Sequence, residues 1–216
     1  MKKIIESLTN VWKIEELRNR ILMTLGLLLV YRFGAHVTLP GVDATKLDNL
    51  SNQTSEGIGW LINVFTGGAF SQASVFALGI MPYISASIVV QLMGIAIPYL
   101  QKLQKDGESG RKKLNQITRW LTILITLVQG PGYIYNLYRT IPNAIISSTN
   151  PELISEFAFL FSSVTILVTG TIFAMWLGEK ITDKGIGNGI SLLIMVGILA
   201  RMPQAFIQEF SSVVSQ

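Results

Sequence analysis

Charged residues are almost absent from five long stretches of this chain and cluster between them. The stretches are residues 21–39, 74–100, 120–138, 157–177 and 185–200. A helix needs about 20 mostly apolar residues to cross a bilayer, and each stretch approaches that length. Residues 202–206 extend the fifth, because the side chain of Arg201 can reach the membrane interface. The pattern therefore predicts five spanning helices over 21–39, 74–100, 120–138, 157–177 and 185–206.

The distribution of lysine and arginine predicts which side of the membrane each loop faces. With the N-terminus in the cytoplasm, most of the 17 cations lie on the inner side: Lys2, Lys3, Lys13, Arg18, Arg20, Lys102, Lys105, Arg111, Lys112, Lys113, Arg119, Lys180 and Lys184. Those on or near the outer side are Arg32, Lys46, Arg139 and Arg201. Because cytoplasmic loops carry an excess of Lys and Arg, we expect an inner N-terminus. Residues 1–20 then form a charged, amphipathic cytoplasmic segment rather than a cleaved signal peptide.

The longest run without a charged residue, 57–101, has two unlike parts. Residues 57–73 are glycine-rich and only half apolar, whereas residues 74–100 are apolar enough to span. If both parts crossed the membrane, the cationic segment 102–119 would move outside, against the charge rule. We therefore expect residues 57–73 to enter from the outer face and return. Irregular backbone at that depth is tolerated only where protein shields it or where it lines a wet cavity.

The composition disfavours several classes of protein. Half of the residues are apolar, 14% are charged and the mean hydropathy is +0.47, against roughly 25% charged residues in soluble domains. Cysteine is absent, which excludes disulfides and thiolate metal sites. The single histidine, His36, has no acidic residue close in sequence. No Asp or Glu lies within a predicted span, where ion-coupled transporters usually need one. The sequence therefore favours a pore over an enzyme or a pump.

Isoleucines recur every four residues on two of the predicted spans. Those on the second span are Ile80, Ile84 and Ile88, and those on the fifth are Ile186, Ile190, Ile194 and Ile198. A β-branched stripe facing a lumen forms a hydrophobic constriction that excludes ions by dewetting. Helix packing or lipid contact explains most such stripes, and the spacing alone favours that simpler interpretation. The second span also carries Ser85, Ser87 and Gln91, which can hydrogen-bond to neighbouring helices.

Proline and glycine predict irregularities in the helices. Pro82 removes a backbone hydrogen bond and predicts a kink in the second span, and the Gly-Pro-Gly sequence at 130–132 predicts a break in the third. The basic stretch 101–113, with glycines at 107 and 110, is expected to be a cytoplasmic loop. The glycine-rich stretch 178–191 has no preceding strand and therefore fails as a phosphate-binding loop. Its Gly185 and Gly189 form a small-xxx-small pair that permits close helix approach.

Three segments carry a resemblance to a known family. They are residues 67–88 (GGAFSQASVFALGIMPYISASI), 107–113 (GESGRKK) and 175–191 (MWLGEKITDKGIGNGIS). At these residues the chain resembles the SecY family, the channel subunits of the bacterial protein translocase. The resemblance implies an all-α membrane protein with five transmembrane helices plus a re-entrant plug segment, forming one half of an inverted-repeat ten-helix channel. It also implies a passive, gated conduit without enzymatic activity or a cofactor.

The resemblance implies roles for four groups of residues. The plug that closes the outer funnel would lie within 57–73 and include Trp60, Leu61, Ile62, Asn63, Val64, Phe65, Thr66, Gly67 and Gly68. The pore ring would include Ile80, Ile84, Ile190 and Ile194. The resemblance thus favours the interpretation that the isoleucines form a hydrophobic constriction. The lateral gate, where signal sequences leave for lipid, would include Ser85, Ser87, Ile88 and Gln91. The loop that faces cytoplasmic partners would include Lys105, Gly107, Arg111, Lys112 and Lys113.

The resemblance also implies partners and a location. These are the SecE and SecG subunits, the SecA ATPase or the ribosome, signal sequences and preproteins, and the lipid of the cytoplasmic (inner) membrane. Because the family has ten spans, we expect residues 21–216 to be the N-terminal half of such a channel, completed by a C-terminal half. Two other functions stay open on the residues alone. One is half of a secondary transporter, which also shows inverted repeats, and the other is an assembly subunit without a conduit.

Overall fold

The computed structural model describes residues 13–47, 57–149 and 155–214, and their regular structure is helical. Most of the predicted cytoplasmic segment 1–20 lies outside the described residues. The helices are α1 (Glu15–Gly34), α2 (Gly57–Phe65), α3 (Met81–Ala96), α4 (Pro98–Lys105), α5 (Gly107–Thr140), α6 (Ile146–Thr149), α7 (Glu156–Lys184) and α8 (Gly189–Val214). Short 3₁₀ turns occupy Ala44–Lys46 and Pro142–Ala144. The expected all-α class is confirmed for the part of the chain that is described.

One described helix, α7, is by itself long and apolar enough to cross a membrane, with a mean hydropathy of 2.0 over its best window. The pair α3 and α4 passes the same test only when taken together, and its two helices are bent by 103°. The apolar part of α8, Gly189–Pro203, is shorter. The count of five spans therefore stays a prediction.

The helix that corresponds to the first predicted span, 21–39, ends before residue 39. Helix α1 stops at Gly34, because the residues that follow pair with a distant segment instead. The amide of Leu39 donates to the carbonyl of Ala73 at 2.8 Å, and the amide of Val75 donates to the carbonyl of Val37 at 2.9 Å. This pairing brings the end of α1 against the turns that precede α3.

The second predicted span, 74–100, is one continuous helix only over its middle part, Met81–Ala96. Residues 74–80 form turns, and α3 begins at Met81 with Pro82 in its first turn. A proline is tolerated there because its missing N–H would have no partner, so the expected kink at Pro82 is wrong. At the other end Ile97 is extended, with φ −103° and ψ 115°. The following Pro98 disfavours helical backbone at this residue, and the chain bends between α3 and α4.

The stretch 101–113, expected to be a loop, is mostly helical. Helix α4 ends at Lys105 and α5 begins at Gly107, which has the positive φ of 65° expected of a turn glycine. Gly110 lies inside α5 against the end of α4, where a Cβ would come within 1.8 Å of the Leu103 carbonyl oxygen. Helix α5 consequently extends well before the predicted third span, 120–138.

The break expected at Gly-Pro-Gly, 130–132, is also wrong, because α5 continues through Pro131 to Thr140. Buried residues precede and follow the proline on one face of the helix. These include Thr126, Gly130, Tyr133 and Ile134. That face packs along α7, so tertiary contacts on both sides hold the helix together across the missing hydrogen bond.

The fourth predicted span, 157–177, lies within α7, and the fifth, 185–206, begins four residues before α8. Two buried apolar clusters hold the helices together. One surrounds the C-terminal part of α5 and the N-terminal part of α7 and includes Tyr133, Ile134, Leu137, Phe159 and Leu167. The other joins α1, α3, α7 and α8 and includes Tyr31, Phe76, Ile80, Leu177 and Leu193. The second cluster supports the candidate site.

Candidate functional site

A groove of about 270 Å³ lies between α3 and the beginning of α8. Its lining combines isoleucines with hydroxyl and amide side chains: Tyr83, Ile84, Ser87, Ile88, Gln91, Asn188, Ile190 and Ser191. Helices α3 and α8 barely touch each other, since each packs chiefly against other helices. The groove is therefore an opening between two helices that have little direct contact and that both pack on the second apolar cluster.

The α8 wall is fixed by hydrogen bonds around the glycine-rich stretch 185–189. Asn188 Oδ1 accepts from the amides of Ile190 at 3.1 Å and Ser191 at 3.2 Å, which caps the helix. Thr182 Oγ1 accepts from the Gly189 amide at 2.9 Å. Thr24 Oγ1, on α1, accepts from the Ile186 amide at 3.0 Å. These bonds set the direction in which α8 leaves α7.

The residues expected in the pore ring are only partly gathered here. Ile84 and Ile190 line the groove from opposite walls, and both pack on the second apolar cluster. Ile80 is buried within that cluster, at the N-cap of α3. Ile194 is half-buried one turn beyond Ile190 and lies outside the groove lining. The structure thus brings two of the four isoleucines to one opening, and the ring itself stays a prediction.

Three of the four residues expected at the lateral gate line the same groove. They are Ser87, Ile88 and Gln91, and the Gln91 amide donates to Ser87 Oγ at 3.1 Å. The side chain of Ile88 is 51% exposed. Ser85 is half-buried and lies outside the lining. Polar groups on α3 therefore bond to each other along their own helix and leave the groove open.

The expected plug residues, 60–68, form α2 and the turn that follows it. Asn63, only 1% exposed, organises this unit, because its side-chain oxygen accepts from the Ser71 amide at 3.1 Å and its carbonyl accepts from the Gly68 amide at 2.8 Å. The buried Thr66 hydroxyl accepts from the Phe70 amide at 3.3 Å. On the other face Trp60, Leu61 and Phe65 are exposed, whereas Ile62 and Val64 are half-buried.

Two arginines that no expected site included contact this unit. Arg32 Nη1, on α1, donates to the Gly67 carbonyl at 2.7 Å, and Arg201 Nη2, on α8, donates to Ser71 Oγ at 3.1 Å. From the sequence, Arg32 is a charged residue within a predicted span with no assigned role, and the side chain of Arg201 is predicted to reach the membrane interface. Both bonds join residues far apart in the chain, so only their charge in an apolar stretch could have marked them.

The expected partner-facing residues lie at the junction of α4 and α5. Lys105, Arg111, Lys112 and Lys113 are exposed, and Lys112 pairs with Glu108 at 3.0 Å. About two turns further along α5 the guanidinium of Arg119 binds both carboxylate oxygens of Glu179 on α7, with Nε to Oε1 at 2.9 Å. The hydrogen bonds to Glu179 raise the pKa of Arg119 above its ordinary value. Within the described ranges, no cluster of three or more His, Asp or Glu residues could hold a metal ion.

Comparison with known proteins gives a consistent result. The SecY family matches residues 74–216. The protein translocase subunit SecY of Buchnera aphidicola subsp. Schizaphis graminum is 44% identical over 209 residues, which cover 96% of this chain and 46% of that protein. The subunit of Escherichia coli (strain K12) is 47% identical over 190 residues, or 88% of this chain and 42% of that protein. That of Pseudomonas aeruginosa is 46% identical over 185 residues, covering 86% and 40%. The chain spans less than half the length of these relatives, and it belongs to the SecY family.

Proposed function

We propose that this chain forms one half of a protein-conducting channel in the cytoplasmic membrane. Unfolded preproteins cross the membrane through the channel, and apolar segments leave it sideways into lipid. The observation that carries the proposal is the groove between α3 and α8, which unites two expected pore isoleucines with three expected gate residues. Relatives of this chain bear the name of translocase subunits.

The chemistry of the groove suits a signal sequence. Such a segment is an apolar helix with polar flanks, and the groove offers isoleucine side chains beside hydroxyl and amide groups. We propose that α3 forms one side of the gate and that the opposing gate helices belong to the C-terminal half of the channel. An apolar helix that enters between the two halves gains lipid contact, and this gain offsets the cost of separating the gate helices.

The isoleucines suit a seal against ions. Ile84 and Ile190 approach the groove from both walls, and a narrow apolar constriction excludes water and ions by dewetting. We propose that Ile80 and Ile194 complete this half of the ring, and that the C-terminal half of the channel supplies the remainder. A translocating chain would be gripped loosely, since apolar side chains offer no specific hydrogen bonds.

We propose that the unit made of α2 and the turn that follows it is the plug, which moves to open the channel. Its interior is satisfied by its own hydrogen bonds around Asn63, so it can move as one body. Its outer face carries the exposed Trp60, Leu61 and Phe65, which we propose contact the wall of the outer funnel in the complete channel. Residues 57–73 would close the channel from the outer side.

Energy and assembly come from partners in this proposal. The exposed cations Lys105, Arg111, Lys112 and Lys113 would provide a cytoplasmic surface for the SecA ATPase or the ribosome. The large apolar side chains exposed on α1, α5 and α7, such as Leu29, Val128 and Phe161, would face lipid, SecE, SecG or the C-terminal half. The chain would cross the membrane several times, with its N-terminus inside.

Photocrosslinking in the complete translocase tests the proposal. A photoreactive amino acid is introduced at Ile88 or Gln91 in the groove and, as a control, at Leu124, an exposed apolar position on α5. During translocation we expect the signal sequence of a preprotein to crosslink to both groove positions and not to Leu124. Equal crosslinking at all three positions, or none in the groove of a translocating complex, would contradict the proposal.

A further inference from the structure

We propose that Arg32 and Arg201 are positioning residues that hold the turn 66–71 in the position that closes the channel, an arrangement that we call the clamp. This inference rests on the proposed function, because it says what holds the plug of the channel. The two guanidinium groups reach the turn from different helices. Arg32 lies on α1 and binds the Gly67 carbonyl, while Arg201 lies on α8 and binds the Ser71 hydroxyl.

The two bonds hold opposite ends of one compact turn. Gly67 lies two residues beyond the end of α2, and its carbonyl accepts from Arg32. Ser71 closes the turn, because its hydroxyl donates to the Gly68 carbonyl at 3.1 Å and its amide donates to Asn63. Displacement of either Gly67 or Ser71 would therefore also displace the other.

Neither arginine has another evident reason to be where it is. None of the salt bridges between described residues includes Arg32 or Arg201. The two guanidinium groups lie beside successive residues of the turn, Gly67 and Gly68. Two like charges in an apolar part of the chain are costly, and hydrogen bonds from charged donors are the stronger kind. The turn supplies the acceptors that offset this cost.

The glycines of the turn make room for the clamp. A Cβ on Gly67 would lie 2.9 Å from the Gly197 Cα on α8, and a Cβ on Gly68 would lie 3.0 Å from Arg201 Nη2. Both glycines have positive φ, 64° and 93°, a conformation that L side chains rarely adopt. The backbone of the turn thus fits directly against α8 and its guanidinium group.

Cysteine labelling in the complete translocase tests the clamp without requiring transport. The chain has no cysteine, so Thr66→Cys introduces a single thiol in this chain at a position that is 1% exposed. A membrane-impermeant maleimide added from the outer side reports how often the turn leaves its place. We expect Arg201→Met, Arg32→Met and Ser71→Ala each to raise the labelling rate about tenfold, as loss of a charge-assisted hydrogen bond implies.

Conservative variants show whether Arg201 and Ser71 act through their hydrogen bond or only through the space that their side chains fill. Arg201→Lys keeps one charged donor and Ser71→Thr keeps the hydroxyl, so both should label at nearly the wild-type rate. Arg201→Met combined with Ser71→Ala should label no faster than Ser71→Ala alone, because Ser71→Ala already removes the bond to Arg201 together with the bond from Ser71 to the Gly68 carbonyl. The control Arg139→Met changes an arginine that stacks on Tyr135, away from the turn, and should leave the rate unchanged.

Unchanged labelling in both Arg201→Met and Ser71→Ala would overturn the clamp, as would an equal rise in Arg139→Met. If Arg201→Met does not fold, Arg32→Met decides, because it removes a bond to the turn and leaves the bonds within the turn intact: faster labelling supports the clamp and unchanged labelling overturns it. The labelling reports only the position of the turn. A clamp that responds as expected in a complex whose groove fails to crosslink a signal sequence would therefore support the clamp and contradict the proposed function.

Discussion

The backbone of Gly189, at the beginning of α8, lies directly against the carbonyl oxygen of Gly178 on α7. A Cβ at residue 189 would come within 1.9 Å of that oxygen and within 2.7 Å of the Ile181 Cβ. Neither atom is the end of a flexible side chain, so neither can move aside at low cost. This contact sets how closely α8 approaches α7, and hence where Ile190 stands beside the groove.

We expect Gly189→Ala to destabilise the packing of α8 on α7 by about 1–3 kcal/mol, the usual cost of overpacking. Thermal unfolding in detergent would measure the change. The matched control is Gly26→Ala on α1, where nothing lies within 4 Å of the added Cβ. Because alanine is the better helix former, the control should be neutral or slightly stabilising. Equal effects at both positions would contradict the packing account.

Substitution of the groove isoleucines should make the resting channel leak. We expect Ile84→Gly and Ile190→Ser to raise the ion conductance of the complete translocase several-fold in planar bilayers, because the apolar seal is lost. Ile84→Leu should retain the seal. The control Ile95→Ser lies on the same helix α3, with a side chain that is 76% exposed. Conductance that is unchanged in both groove variants would remove Ile84 and Ile190 from the pore ring.

The ion pair between Arg119 and Glu179 should contribute modestly to the contact between α5 and α7. The Arg119 side chain is 49% exposed, so solvent screens the pair and we expect a coupling of about 0.2–1 kcal/mol in a double-mutant cycle. The exposed pair of Lys112 and Glu108 serves as the comparison and should couple less. A coupling that is absent at low salt would show that the bidentate geometry adds no stability.

The same pair should not make stability depend on pH in the neutral range. Its bonds to Glu179 raise the pKa of Arg119. A raised pKa on a cation means that the stabilisation is complete below the pKa of arginine in the unfolded chain, which lies far above the neutral range, and is lost only as the pH rises past the folded pKa. Unfolding of wild type and of Arg119→Met at pH 6 and pH 9 should therefore differ by the same amount.

Acid should loosen the 3₁₀ turn Ala44–Lys46. The Thr45 hydroxyl and amide donate to Asp43 Oδ1 at 2.7 Å and 3.0 Å, and these bonds hold the pKa of Asp43 below its usual value. A depressed pKa stabilises the turn above the unfolded value, about 3.9, and the stabilisation is lost as the pH falls through the folded value. Amide exchange at Thr45 should be protected at pH 6, and Asp43→Asn should reduce that protection.

Apolar length predicted where helices occur better than where they end. The bodies of α7 and α8 follow from uncharged stretches, because each residue there favours burial independently of its neighbours. The end of α1 does not, because it depends on the pairing of Leu39 with Ala73, residues 34 positions apart. Pro131 was expected to break α5, but the packing of Tyr133 and Ile134 holds the helix on its far side.

The candidate site was predictable to a similar degree. The resemblance named Ile84, Ile190 and Gln91, which share a groove, but it gave no reason to separate them from Ser85 or Ile194, which lie outside its lining. Which side of a helix faces an opening depends on the rotation of that helix in its bundle. The bond from Arg201 to Ser71 joins residues 130 positions apart, and no local pattern in the chain encodes it.

The sharp bend after Ile97 limits the depth to which α3 can reach. Helix α3 has 16 residues, or about 24 Å at 1.5 Å per residue, against roughly 30 Å for the hydrocarbon core of a bilayer. A transmembrane helix this short creates hydrophobic mismatch, which lipids relieve by thinning around it. Under the proposed function, a segment that leaves the groove would then enter the thinnest part of the bilayer. Lipids with longer acyl chains would oppose its exit, because they resist this thinning.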